Sequence, residues 1–310
     1  MFKLTSHITI GSIEFDFVND VSIESSWELL TDKASITLPS NIKVNRNKLR
    51  SVLAPGDRVV IRLGYDGELQ TIFEGYLTGI QPSTPIELSC EDEMWNLKQN
   101  DITDTLPDAD LQQLLDKHFS GYETEILNTK IGNYQIDNLS QAGVLQKIKE
   151  QFGLNAFFRA GVLVIGRIYS GTGQSISNFR FQQNIIDDDL EYKRKEDVKI
   201  QVKAVSNQPN GTKLEVRLGD SEGEKRSLNF YDLNLEDLTA AAQRELDKLK
   251  YDGYRGSFTA FGVPVVRHGD IVNLTHPEEA DKAGSYFVDK VETTFGMDGY
   301  RQIITLGAQA

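Results

Sequence analysis

One β pattern occurs twice in the chain, and that duplication limits the architectures open to it. Gly56-Asp57 opens the stretch from Pro55 to Asp92, and Val59, Ile61 and Leu63 then alternate along one face as a half-buried strand requires. Asp66-Gly67 turns the chain, the run Thr71 to Ile80 follows, and Ile86 to Cys90 completes an antiparallel meander. Near the C-terminus, Gly269-Asp270 opens Ile271 to Leu274, followed by Tyr286 to Val291, the Asp298-Gly299 turn and Ile303 to Leu306. In both copies glycine meets the turn geometry and aspartate offers a carboxylate to nearby backbone N–H groups. Gly56, Asp57, Gly269 and Asp270 are therefore the candidate structural-turn or interface positions.

The remaining patterns predict a mainly β chain with an α+β insertion. A first small β-barrel is expected over residues 1–104, with short strands in Ile8 to Ile23 and Ala34 to Leu38 and a closing helix in Glu91 to Gln99, where Trp95 reads as a core plug. Residues 105–170 read as a small α+β domain. One helix, capped by Asp108, carries Leu111, Leu114 and Leu115; another runs from Ser140 to a stop at Gly153. Strands are expected at Tyr122 to Ile126, Leu154 to Phe158 and Val162 to Ile168. Residues 171–189 read as a linker ending in a solvated turn at Asp187, Asp188 and Asp189. A second barrel is expected over 190–310, with a helical insert at about 234–250. Within it Pro209-Asn210-Gly211 predicts a type I′ hairpin between Val198 to Val205 and Thr212 to Leu218, and Ser227 to Tyr231 extends the sheet.

Chemistry is sparse. None of His7, His118, His268 and His276 shows metal-binding spacing, and His268 and His276 merely bracket one strand. No catalytic, cofactor-binding or metal-binding residue is expected. Ser170-Gly171-Thr172-Gly173 lacks the Lys-Ser/Thr of a phosphate loop and reads as a flexible connection. Cys90 adjoins Glu91 and Asp92, acids that raise its pKa. The net charge of −13 argues against broad nucleic-acid binding. No apolar run approaches the ~20 residues of a membrane span, and no secretory signal is evident at Met1 to Ile10.

Several segments carry a family likeness: Thr31 to Pro39, the Pro55 to Gly67 run, Phe73-Glu74-Gly75-Tyr76, Cys90-Glu91-Asp92 before a Trp-containing helix, and Gly284 to Val288 with Gly299 to Ile303. Together they resemble the baseplate hub proteins of contractile phage tails, the late control protein D type, which are related to the hub portion of type VI secretion spike proteins. The resemblance implies a homotrimeric ring with two tube-like barrels per protomer, joining a sixfold tail tube to a threefold spike. It implies as partners the tail tube protein, a separate central spike protein and other baseplate proteins, with DNA or a tape-measure protein passing through the lumen unbound. Assembly in the bacterial cytoplasm and residence in the virion or tail-particle baseplate follow from it. The chain ends at Ala310 without a β-helix or lysozyme-like segment, so the spike is expected to be another chain. Three chains would carry three times −13, and acidic groups lining the lumen would repel DNA. The rival expectations are a tail-associated peptidoglycan hydrolase and a β-rich carbohydrate- or receptor-binding module.

Overall fold

Alternation of apolar side chains builds the first meander as its pattern predicts. The computed structural model describes residues 3–39, 43–44, 47–48, 52–81, 84–169 and 172–310; Pro82 and Ser170-Gly171 lie outside them. Strands Arg58–Tyr65, Glu68–Gln81 and Ile86–Glu91 pair antiparallel in succession, with Val59, Ile61 and Leu63 fully buried. Asp66 and Gly67 take φ of 53° and 92°, the left-handed pair that closes a two-residue hairpin. The echo comprises Ile271–Thr275, Gly284–Gly296 and Gly299–Gln309, again antiparallel in succession.

The two meanders merge. Strand Asp20–Ser26 pairs on one side with Lys33–Leu38 and on the other with the distal part of Gly284–Gly296, from Ser26 opposite Lys290 to Val21 opposite Phe295. Among the described residues a single thirteen-stranded sheet therefore runs through both β units. It serves two cores. One gathers Ile8, Ile36, Ile61, Leu63 and Leu88, and the C-terminal hairpin adds Phe295 and Tyr300 to it. The other gathers Phe179, Phe258, Val272, Tyr286, Val288 and Ile304. Tyr300 is fully buried, its ring 5.5 Å from Tyr65, and the Tyr65 hydroxyl donates to the Tyr300 carbonyl at 2.9 Å. Gly262 lies so close to the Tyr300 ring that a Cβ there would collide with it.

Between the meanders the chain builds an α+β module around α1 (Met94–Leu97), α2 (Leu111–His118) and α3 (Gln141–Phe152). Ser140 caps α3 by accepting from the Gly143 N–H, and Gly153 ends it at φ 67°. The cap of α2 is Asp110 rather than Asp108. Asp110 accepts from the Gln113 N–H while the Gln113 side chain reaches back, a reciprocal capping box that Asp108 lacks a partner to make. Asp108 instead sits at φ 43° beside an irregularity in strand Asp101–Asp110, which pairs with Lys130–Ser140. A three-stranded sheet of Thr124–Ile126, Val162–Gly166 and Asn155–Arg159 completes the module.

The stretch 171–189 departs from the linker reading. Ile176–Arg180 runs parallel to Ile271–Thr275, and Ile185–Lys193 runs antiparallel to Gly253–Phe261. Ser177 and Phe179 alternate inward, the period-two signal that the surrounding polar residues obscure. Asp187, Asp188 and Asp189 lie within the second of these strands, not in a turn. That strand ends the sheet, where exposed carboxylates cost little and discourage stray pairing.

Residues 200–231 also form a sheet of their own. Ile200–Asn207 lies between Lys213–Gly219, antiparallel, and Glu224–Tyr231, parallel. Helix α4 (Leu235–Leu249), capped by Asn234, covers Val202 and Ala204 with Leu238, Ala242 and Leu246. The hairpin at Pro209-Asn210-Gly211 is not type I′: only Gly211 has positive φ, and its N–H donates to the Gln208 carbonyl at 2.9 Å. Pro209, fixed at negative φ, falls inside the turn and excludes the mirror-image form.

Because Tyr300 fills the first core from the far end of the chain, Tyr300→Ala should cost about 3–5 kcal/mol. Hydrogen exchange should show the loss in Ile8 to Leu63 as well as in the C-terminal hairpin.

Candidate functional site

The two Gly-Asp turns repeat at atomic detail. Gly56 N–H donates to the Leu77 carbonyl at 2.7 Å and Leu77 N–H returns to the Asp57 carbonyl at 2.9 Å; Gly269 and Asp270 make the same exchange with Val288 at 2.7 and 2.9 Å. The Asp57 carboxylate accepts from Ala54 N–H at 2.8 Å, and that of Asp270 from Arg267 N–H at 2.9 Å. Gly56 and Gly269 take φ of 96° and 80°, where a side chain is strained. The copies differ in setting. Asp57 is half-buried, whereas Asp270 is buried and also accepts from Ser175 N–H at 3.0 Å.

Each glycine leaves a seat, and each seat is taken from the α+β side. A Cβ at Gly56 would stand 3.2 Å from the Trp95 ring, and one at Gly269 would collide with the Arg159 guanidinium. Trp95 lies in α1, whose Met94 and Leu97 belong to the module's core, and Arg159 ends the module's strand Asn155–Arg159. Trp95 is thus not a core plug: it is half-buried and stacks on Tyr76 at 5.4 Å, clamped over the turn. The structure does not bring the two turns together. It uses them as two equivalent docking points for one module.

Beside the second turn lies a polar junction that the sequence reading missed, with His268 and Asp92 buried and Ser25 and Asp32 half-buried. Ser25 Oγ donates to Asp32 Oδ2 at 2.7 Å and lies 2.7 Å from His268 Nδ1. Asp32 N–H donates to Asp92 Oδ2 at 3.2 Å, and Met94 N–H to Asp92 Oδ1 at 3.0 Å. Arg159 Nη2 donates to the His268 carbonyl at 2.8 Å, and the His268 ring meets Phe157 edge-on at 4.9 Å. A cavity of about 40 Å³ adjoins Ser25 and Asp32, lined also by Phe73, Arg267 and Thr293. Burial lifts the Asp32 carboxyl above its ordinary range. Burial and the neighbouring Asp32 charge hold Asp92 well above that range, and burial pushes the His268 imidazole down. The only local sign of the junction was that His268 stands before Gly269 where Pro55 stands before Gly56.

The other candidate chemistries find ordinary partners. His118 bonds Asp104 at 2.7 Å, His7 bonds Asp16 at 2.8 Å, and His276 Nδ1 accepts from the Glu278 and Glu279 N–H groups. Among the described residues, no group of three or more His, Cys, Asp or Glu is placed to hold a metal. Thr172 donates to the Glu125 carboxylate through its N–H and hydroxyl, a contact that opposes phosphate binding. Cys90 is pushed up to about 12, and burial rather than the adjacent acids is the cause.

No protein-family model matches the sequence, and no curated protein matches it significantly. The fold has solved counterparts along its length. A tail protein from Neisseria meningitidis aligns with a TM-score of 0.67 at 15% identity, covering 98% of this chain and 96% of that one. The 43 kDa tail protein of a Shewanella oneidensis prophage aligns at 0.63 and 17%, covering 98% and 97%. An Escherichia coli component of the type VI secretion system aligns at 0.60 and 11%, covering 99% of this chain and 77% of that one. At these identities the likeness is one of fold. The chain has the mainly β fold of phage tail proteins. A component of the type VI secretion system shares it, as the sequence resemblance to baseplate hub proteins leads one to expect.

Gly56→Ala and Gly269→Ala should each destabilise the protein by about 1–3 kcal/mol, read from denaturant midpoints. The Gly56 variant should also shift Trp95 fluorescence. Cys90 should react with a thiol reagent at pH 8 about 1,000-fold more slowly in the native protein than after unfolding.

Proposed function

We propose that this chain is a structural baseplate hub of a contractile phage tail or a tail-derived injection machine. Three copies form a ring that joins the sixfold tail tube to a separate threefold spike and leaves a channel for DNA or effector passage. The observation that carries this reading is the atomically repeated Gly-Asp turn in two β units of one chain, in a fold shared with tail proteins over 98% of its length. A protomer with two similar units presents six in a threefold ring, which is what a tube-to-spike adaptor needs. Its organisation is then two β units bridged by the α+β module, with the sheet under α4 as an appendage to the second. The work is mechanical: no reaction takes place on Gly56, Asp57, Gly269 or Asp270, which hold shape. Assembly takes place in the bacterial cytoplasm, beside tube, spike and other baseplate proteins.

Light scattering of the purified chain, alone and with its tube and spike partners, tests this. The expected mass is three times the 34.8 kDa of one chain, with pseudo-sixfold rings in particle images. A species that stays monomeric with both partners present, or reproducible clearing of purified peptidoglycan that depends on one carboxylate, would overturn it.

A further inference from the structure

The Ser25–His268 contact joins strand Asp20–Ser26 of the first β unit to the turn that opens the second meander, and the protons on it are strictly limited. A serine hydroxyl has one proton, and Ser25 gives it to Asp32 Oδ2. His268 Nδ1, 2.7 Å from the same oxygen, is then the donor, and Nε2 carries the bare lone pair of a neutral ring. His268 is 4% exposed, and its Nε2 has no hydrogen-bond partner. A second proton would arrive on Nε2, which is buried with no hydrogen-bond partner, on a ring packed edge-on against Phe157.

The charges around the ring are mixed. Asp32 and Asp270 favour a cation there, while Arg159 and Arg267 oppose it; Asp92 lies one step beyond, bonded to Asp32. Arg159 adds to the opposition at close range, since its Nη2 already occupies the His268 carbonyl and its Nη1 is buried without a partner. Burial outweighs the nearby carboxylates, so the closed junction disfavours the imidazolium.

We propose that this junction is an acid-sensitive latch: protonation of His268 is accommodated only by parting Ser25 from the His268-Gly269 turn, which releases that turn from strand Asp20–Ser26 and from the Arg159 strand while the ladder between Asp20–Ser26 and Gly284–Gly296 stays paired. A group whose affinity for protons is lower closed than open stabilises the closed form fully above its open-state pKa. For His268 that contribution is complete above about pH 6.5 and is lost as the pH falls from there toward the lower closed-state value. Asp32 and Asp92, lifted by burial, act in the opposite sense, so a variant lacking the imidazole is needed to isolate its effect.

The test is amide hydrogen exchange at pH 7.5 and 5.5, corrected for intrinsic rates, on the whole chain and on His268→Gln. In the wild type, opening at the amides of Asp32, Gly269 and Val288 should rise between the two pH values by up to about tenfold, the limit for one coupled proton with an open-state pKa near 6.5. In His268→Gln it should not rise. An equal rise in both proteins, or none in the wild type, overturns the latch. Should His268→Gln fail to fold, NMR titration of the wild-type imidazole decides. A ring that stays neutral until those amides open supports the latch, and a ring that titrates near 6.5 with the amides still protected refutes it.

Discussion

The structure depends on a reciprocal pair of backbone hydrogen bonds made twice: Gly56 and Asp57 with Leu77, and Gly269 and Asp270 with Val288. Each pair fixes where a long strand leaves off pairing with the strand before it, and so helps to set the register of a whole meander. The positive φ of the glycine is needed to point its N–H at that strand, and the aspartate satisfies the N–H three residues back. With register fixed, alternation decides which side chains enter each core. The notch left by the absent Cβ is then available to Trp95 in one copy and Arg159 in the other.

This gives the inserted α+β module a defined place. Its own core, built on Leu114, Leu145, Ile148 and Leu163, makes it a packed body, and its two contacts with the duplicated turns position it against both β units. Neither contact is large. Their strength lies in shape: a flat indole and a planar guanidinium each lie against bare backbone, which a different side chain at the glycine would block. The polar junction of Ser25, Asp32, Asp92 and His268 sits beside the second contact, so module, first unit and second unit all meet at one largely buried polar cluster.

Much of this was legible in the sequence because it is local. The paired Gly-Asp openings, the Asp66-Gly67 hairpin, the Ser140 cap and the Gly153 stop each follow from a few adjacent residues. What was hidden is long-range. Ser25 and His268 lie 243 residues apart, and neither position is unusual in its own neighbourhood. Trp95 reads as a core residue because Met94 and Leu97 beside it are core residues; only the fold shows that its face of the short helix points at Gly56. Asp187 to Asp189 resemble a loop because edge strands carry charges that central strands do not. Strand Asp101–Asp110 carries no period-two signal for a related reason: its buried Ile102, Leu106 and Ala109 are spaced irregularly by the shifts in its ladder.

The pairing of Asp20–Ser26 with Gly284–Gly296 has a consequence for how the protein is made. The first β unit is synthesised early, yet its core lacks Phe295 and Tyr300, and one edge of strand Asp20–Ser26 stays bare, until residues 290–300 emerge. At about 5–20 residues per second, that leaves an apolar surface and an open strand edge waiting for roughly 10–40 s on each nascent chain. Long-range closure of this kind is slow, and it invites the C-terminal hairpin of one chain to enter the waiting slot of another. On a polysome, where unfinished copies stand side by side, the geometry that unites the two halves of one chain is also the geometry by which neighbouring chains can exchange them.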